Sequence, residues 1–188
     1  MRKAGRCVVT GRGSTISAER RARGGWLSRA FTRTLAALAT GLPGWALAAT
    51  LAGTVTHVTD GDSLWVRPAH GGAPLELRLR HVDAPERCQA HGTEAREALA
   101  QRVLRQPVRV QTHGVDDYGR TLATVTHRGQ DIGAWLVQQG HAWSDDRARG
   151  RGPYAAQQQR ARQARRGLWQ APQPMRPRQF RQAHGRCP

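Results

Sequence analysis

Five short segments of the chain alternate apolar and polar residues, and one helical stretch separates the third from the fourth. That order leaves few folds open. Residues 51–59 carry β-branched side chains at Thr54, Val55, Thr56, Val58 and Thr59 and predict a strand. Residues 63–67 predict a second, with Leu64 and Val66 on one face and Trp65 on the other. Residues 75–82 predict a third, with Leu75, Leu77 and Leu79 facing one side and Arg78 and Arg80 the other. Thr93 is expected to cap a helix reaching Arg105, on which Ala95, Leu99 and Val103 form one apolar stripe. Residues 108–113 and 121–127 predict the fourth and fifth strands. Asp131 caps a short helix stopped by Gly140, and residues 154–166 predict a third helix closed by Gly167. The expected fold is α+β: a five-stranded Greek-key β-barrel of the OB type with three helices.

The chain ends suggest how this domain is delivered. Residues 1–34 are rich in Arg, Gly and Ser; a short apolar run from Leu35 follows, broken by Gly41, Pro43 and Gly44 and ending Ala46-Leu47-Ala48. This reads as a secretory leader over 1–48, cleaved after Ala48, with an uncleaved anchor as the rival reading. The run is short for a membrane span. The Arg20-Arg21 pair is a poor fit to a twin-arginine signal. The domain is then expected over 49–170, followed at 171–188 by a basic Pro/Gln/Arg-rich tail without a core of its own. An exported protein, periplasmic or secreted, with no stable membrane association after cleavage and monomeric, is the expectation. Cys88 and Cys187 remain beyond the leader, an even count that suits either one disulfide or two unpaired thiols.

Charge narrows the partners. The chain holds 30 Lys+Arg against 13 Asp+Glu, and from residue 49 onward 21 against 12, so the excess belongs to the domain. Nucleic acid is the natural partner for such a surface, with a membrane surface as the other option. Lys3 is the only lysine. GC-rich codon usage is the plainer reading for most of the arginines, so only Arg78 and Arg120 are given a functional reading.

Three separated segments carry compact polar motifs at strand ends: Asp60-Gly61-Asp62, Arg78 through Asp83-Ala84-Pro85-Glu86, and Asp116-Asp117-Tyr118-Gly119-Arg120. Hard cations such as Ca²⁺ take several carboxylate and carbonyl oxygens. Asp62 and Asp83 can supply carboxylates, and the Ala84 carbonyl a third ligand. The eight histidines are scattered singly, which argues against zinc. A cation beside two arginines suits attack on a phosphodiester, with Arg78 and Arg120 neutralising the developing charge. Glu86 can orient or deprotonate the attacking water. Each motif alone is weak; Asp-Gly-Asp is most often only a turn.

Together with Leu136-Val137-Gln138-Gln139-Gly140 and Ala164-Arg165-Arg166-Gly167-Leu168-Trp169, these segments occur in an order and spacing that resembles the staphylococcal nuclease (thermonuclease) family. The resemblance spans roughly Thr54 to Trp169. It implies an OB barrel with three helices and Ca²⁺-dependent hydrolysis of DNA and RNA to 3′-phosphate products. It also implies Asp62, Asp83 and the Ala84 carbonyl as metal ligands and Asp60 as an acid behind them. Glu86 would be the water-activating carboxylate, with Arg78 and Arg120 as phosphate clamps. Ala84 stands where the family often has Thr, and Asp117 where the reference nuclease is basic. Two tyrosines that pack on the base there are replaced by Trp143-Ser144-Asp145-Asp146, leaving Trp143 or Tyr154 as the candidate stacking surface. A catalytically inert OB module that binds nucleic acid is the alternative; such relatives would be expected to lose the acids or arginines that this chain keeps.

Overall fold

The computed structural model describes residues 50–145 and 152–188. The predicted leader over 1–48 lies outside the described residues. Six strands form the main sheet: β1 (Thr50–Asp60), β2 (Ser63–Pro68), β3 (Leu75–Leu79), β5 (Pro107–Val115), β6 (Thr121–His127) and β7 (Gln130–Asp131). A short pair, β4 (Val82–Asp83) and β8 (Trp143–Ser144), forms a second. β1 pairs antiparallel with both β2 and β5, β2 with β3, and β5 with β6. A parallel pairing of β3 with β6 closes the ring into a five-stranded mixed barrel. This is the predicted OB topology.

Alternation makes the barrel. Val55, Val58, Leu64, Val66, Leu77, Leu79, Val110 and Val125 point inward and are almost wholly buried. Each such side chain contributes about 1.5–3 kcal/mol by leaving water. Helix α1 (Gly92–Val103) lays the predicted stripe of Ala95, Leu99 and Val103 against this core. Helix α2 (Ile132–Gln139) starts as expected: Asp131 accepts from the Ala134 N–H, and Gly140 ends it at φ 77°. Helix α3 (Ala155–Gln163) and the 3-10 turn at Gly167–Gln170 carry a satellite cluster of Ala161, Leu168 and Trp169 around Trp143.

Three local expectations are corrected. The third strand stops at Leu79 rather than at residue 82. His81 takes a left-handed φ of 66°, and Val82–Asp83 leave the barrel to pair with β8. Alternation holds only as far as Arg80: His81 stands where an apolar residue is due and Val82 falls on the other face, so the pattern itself breaks at the turn. Thr93 does not cap α1; His91 does, at φ 68° and without a side-chain bond. Gly61 is needed for space. A Cβ there would lie 2.7 Å from the Ala84 Cβ and 2.9 Å from that of Ala95, so only glycine lets the Asp60–Asp62 turn close on the neighbouring loop. The C-terminal tail contains a helix, α4 (Pro177–His184), with Pro177 at its first position and the Arg176 N–H donating to Gln179 Oε1 at 3.2 Å.

His91 and His141 stack, ring centroids 5.3 Å apart, with His91 Nε2 and His141 Nδ1 sharing one hydrogen bond at 3.1 Å. One ring must donate and the other accept, so the pair needs at least one neutral ring. Burial first, then the His91 charge, pushes His141 down to about 4. A base with a depressed folded pKa gives stability that is present above its unfolded pKa near 6.5 and lost as pH falls towards 4. Between pH 7 and pH 4 the pair is expected to cost the fold about 1–2 kcal/mol after solvent screening. Urea unfolding of the wild type and His141→Gln across that window checks it: the variant should show the smaller acid loss.

Candidate active site

Asp62 is the hub. It ends the Asp60–Asp62 turn, where Asp60 Oδ1 accepts from the Asp62 N–H at 3.1 Å, and it is only 6% exposed. Its Oδ2 accepts from the Ala84 N–H at 2.7 Å and pairs with Arg78 Nη1 at 2.8 Å. Burial pushes its carboxyl well above the usual carboxylate range; the Arg78 charge opposes that shift, while Asp60 and Asp83 add to it. The backbone of Ala84 is thus locked beside Asp62.

Arg78 joins the first two segments. It stands on β3 opposite Ser63. Nη1 also donates to the carbonyls of Leu79 and Val82 at 3.1 and 3.0 Å, and Nη2 pairs with Asp83 Oδ1 at 3.3 Å. One guanidinium therefore spans both candidate metal-ligating carboxylates and holds the two turns that carry them. With four oxygens already engaged, its first task is to organise the acids.

The third segment arrives through Ser63 and Asp116, neither of which stood among the predicted site residues. Ser63 Oγ donates to Asp62 Oδ1 at 3.2 Å and accepts from Arg120 Nη1 at 3.3 Å. Asp116 Oδ2 pairs with Arg120 Nη2 at 2.8 Å and accepts from Nε at 2.9 Å, while Oδ1 accepts from the N–H groups of Tyr118 and Arg120. Burial alone would raise the Asp116 carboxyl; these bonds outweigh it and hold it below its ordinary value. The i, i+4 spacing of Asp116 and Arg120 was a readable signal. Nothing in the sequence around Ser63 marked it as the bridge.

Asp60, Asp62, Arg78, Asp83, Ala84, Ser63 and Arg120 thus form one hydrogen-bonded network. Glu86 lies in the same loop, three residues past Asp83. Its N–H donates to Gln89 Oε1 at 3.1 Å, and its Oε1 is paired with Arg181 of α4. A Cβ at position 92 would overlap the Glu86 carbonyl, so Gly92 allows this loop to seat on the start of α1. Cys88 and Cys187 are joined as a disulfide, with Cα atoms 5.6 Å apart.

The stacking surface must be corrected. Trp143 is 2% exposed and packs edge-on to Trp169 at 5.9 Å. Tyr154 is 9% exposed, and its hydroxyl donates to Asp131 Oδ2 at 2.8 Å. Neither ring is free to meet a base. The exposed aromatic at the site is Tyr118, 70% exposed, with the guanidinium carbons of Arg120 and Arg186 at 5.5 and 5.4 Å from its ring centroid.

Among the described residues no three His, Cys, Asp or Glu side chains converge as a cation-binding group. The candidate donor set is smaller: two carboxylates and a backbone carbonyl, all hard oxygens, with water to complete the shell. It suits a hard divalent cation on one observation. Asp62 is buried beside Asp60 and Asp83, and the Arg78 charge does not offset what burial and those acids impose.

A barrel closed by a parallel β3–β6 pairing, with acids and arginines gathered where β1, β3 and the β5–β6 loop meet, defines a phosphate-handling OB protein. Residues 76–171 match the family described as staphylococcal nuclease homologue. Protein ParB of Escherichia coli is 37% identical over 159 residues, covering 78% of this chain and 86% of that protein. Micrococcal nuclease of Shigella flexneri is 37% identical over 155 residues, covering 76% and 85%. An uncharacterized endonuclease of Haemophilus influenzae is 35% identical over 127 residues, covering 68% and 71%. The chain belongs to the staphylococcal nuclease homologue family.

Proposed function

We propose that the protein is an exported, Ca²⁺-dependent nuclease that hydrolyses phosphodiester bonds of DNA and RNA and leaves 3′-phosphates. One observation carries the reading: the three separated motifs meet in a single network, with Asp62 bonded to Arg78, Ala84 and Ser63, and Ser63 bonded to Arg120. Turns of merely structural purpose would have no reason to share it. The names of the micrococcal nuclease and endonuclease relatives support the same class.

Asp62, Asp83 and the Ala84 carbonyl would hold Ca²⁺, which when bound supplies positive charge to a non-bridging phosphate oxygen. Glu86 orients the attacking water and takes its proton as the water oxygen bonds to phosphorus. The bond from phosphorus to the 5′ oxygen breaks, and the leaving oxygen takes a proton from solvent water, so that the products are a 3′-phosphate and a 5′-hydroxyl. Arg120, with its side chain 26% exposed and aimed by Asp116, donates to the phosphoryl oxygens as charge builds there. Arg78 adds its field while keeping the two acids in place. Export is supported by the leader pattern over 1–48 and by a disulfide of the kind that persists in oxidising compartments.

Digestion of plasmid and single-stranded DNA by the protein beginning at Ala49 tests the reading. Cleavage with Ca²⁺, its loss with EGTA, and 3′-phosphate ends on the products are expected. Binding of nucleic acid without cleavage at any pH would instead make this an inert OB module.

A further inference from the structure

The C-terminal arm, residues 175–188, is tied at both ends to the loop that carries Glu86. Gln89 Nε2 donates to the Met175 carbonyl at 2.6 Å, Cys187 is bonded to Cys88, and Arg87 Nη2 donates to the Pro188 carbonyl at 2.6 Å. Between these anchors α4 brings Arg181 onto Glu86. Beyond it, Arg186 reaches the Tyr118 ring beside Arg120. The arm therefore touches both loops between which a phosphodiester must lie for Glu86 and Arg120 to act on it.

Its charge says what it is for. Residues 171–188 contain Arg176, Arg178, Arg181 and Arg186 and no acid. A cationic arm beside the site draws a polyanion in rather than turning it away. The Arg181–Glu86 pair is half-exposed, 38% and 25%, and such pairs hold weakly in water. A phosphate arriving there offers the guanidinium a bidentate acceptor. Arg181 can then release Glu86 to the water molecule at the moment substrate is present.

We propose that the disulfide-anchored arm is a phosphate-binding strap for the nucleic-acid substrate. Arg181 passes from Glu86 to one backbone phosphate, and Arg186 holds a second beside Tyr118. The strap takes its substrate class from the nuclease reading and deepens it.

The test uses the full chain and the surface variant Arg181→Ala/Arg186→Ala. Binding of a labelled single-stranded DNA is measured by anisotropy in EDTA over a salt series, and KM and kcat are then measured in Ca²⁺. The variant is expected to raise Kd and KM about tenfold while kcat stays within about threefold. Its salt dependence should flatten by about 1.4 in log–log slope, two contacts at about 0.7 each. The Cys88→Ser/Cys187→Ser variant should shift Kd and KM in the same direction, and a reducing agent should move the wild type but not this variant. Unchanged Kd and salt slope in the arginine variant overturn the strap. So does a higher kcat/KM in it, which would make the arm an obstacle. Arm-dependent binding in EDTA without cleavage in Ca²⁺ would remove the nuclease reading and leave the strap standing. Cleavage with arm-independent Kd and KM would do the reverse.

Discussion

Turnover is expected to fall about 10²–10⁴-fold when Glu86 is replaced by Gln, the range for losing a positioned base. Arg120→Ala is expected to cost about 10²–10³-fold, as for other donors aimed at developing negative charge. Neither change should disturb the fold. Glu86 is a partly exposed loop residue whose N–H keeps its bond to Gln89. Without the Arg120 side chain, Asp116 still accepts from the N–H groups of residues 118 and 120. Initial rates on single-stranded DNA, set beside circular dichroism and thermal unfolding of each variant, separate chemistry from folding. A wild-type rate in Glu86→Gln would remove the role given to that carboxylate. The same result in Arg120→Ala would leave Ser63 and Asp116 holding an arginine to no catalytic end.

The barrel was legible because burial inside it demands alternation along most of its strands; only a bulge in β1 lets both Val55 and Val58 point inward. Leu75, Leu77 and Leu79 declare their face with no help from the rest of the chain. The metal and phosphate candidates were legible because each motif sits at a strand end, where polar groups can gather without costing the core. What escaped the sequence depends on distance in space. Ser63 looks like an ordinary strand residue until the β2–β3 and β3–β6 pairings bring Arg120 within reach of its hydroxyl. Trp143 and Tyr154 offered aromatic rings in the right region, and composition says nothing of which ring is covered. Packing against Trp169 and a hydrogen bond to Asp131 decide that. Arg181 was the least visible of all. It belongs to a tail with few apolar residues, and the anchors that bring α4 to residues 86–89 join groups far apart in the sequence.

Arg78→Ala is expected to lower stability by about 3–5 kcal/mol in the presence of a chelator, the usual cost of stripping one partner from a buried charge group. The side chain is 12% exposed, and its two Nη atoms serve Asp62, Asp83 and the carbonyls of Leu79 and Val82. Removing it leaves two carboxylates facing each other and two carbonyls without that donor. Arg78→Lys keeps the charge but not the fork, so it should fall between the two. A divalent cation offers a second way to compensate the same acids. If Asp62 and Asp83 are its ligands, Ca²⁺ should return part of the stability lost in Arg78→Ala and return less to the wild type, in which the guanidinium already offsets part of the charge. Urea midpoints of wild type and variant, each with EGTA and with Ca²⁺, measure this without any assay of cleavage. An equal deficit in both solutions would mean that Ca²⁺ does not meet these two carboxylates, and the donor set would have to be sought elsewhere on the barrel.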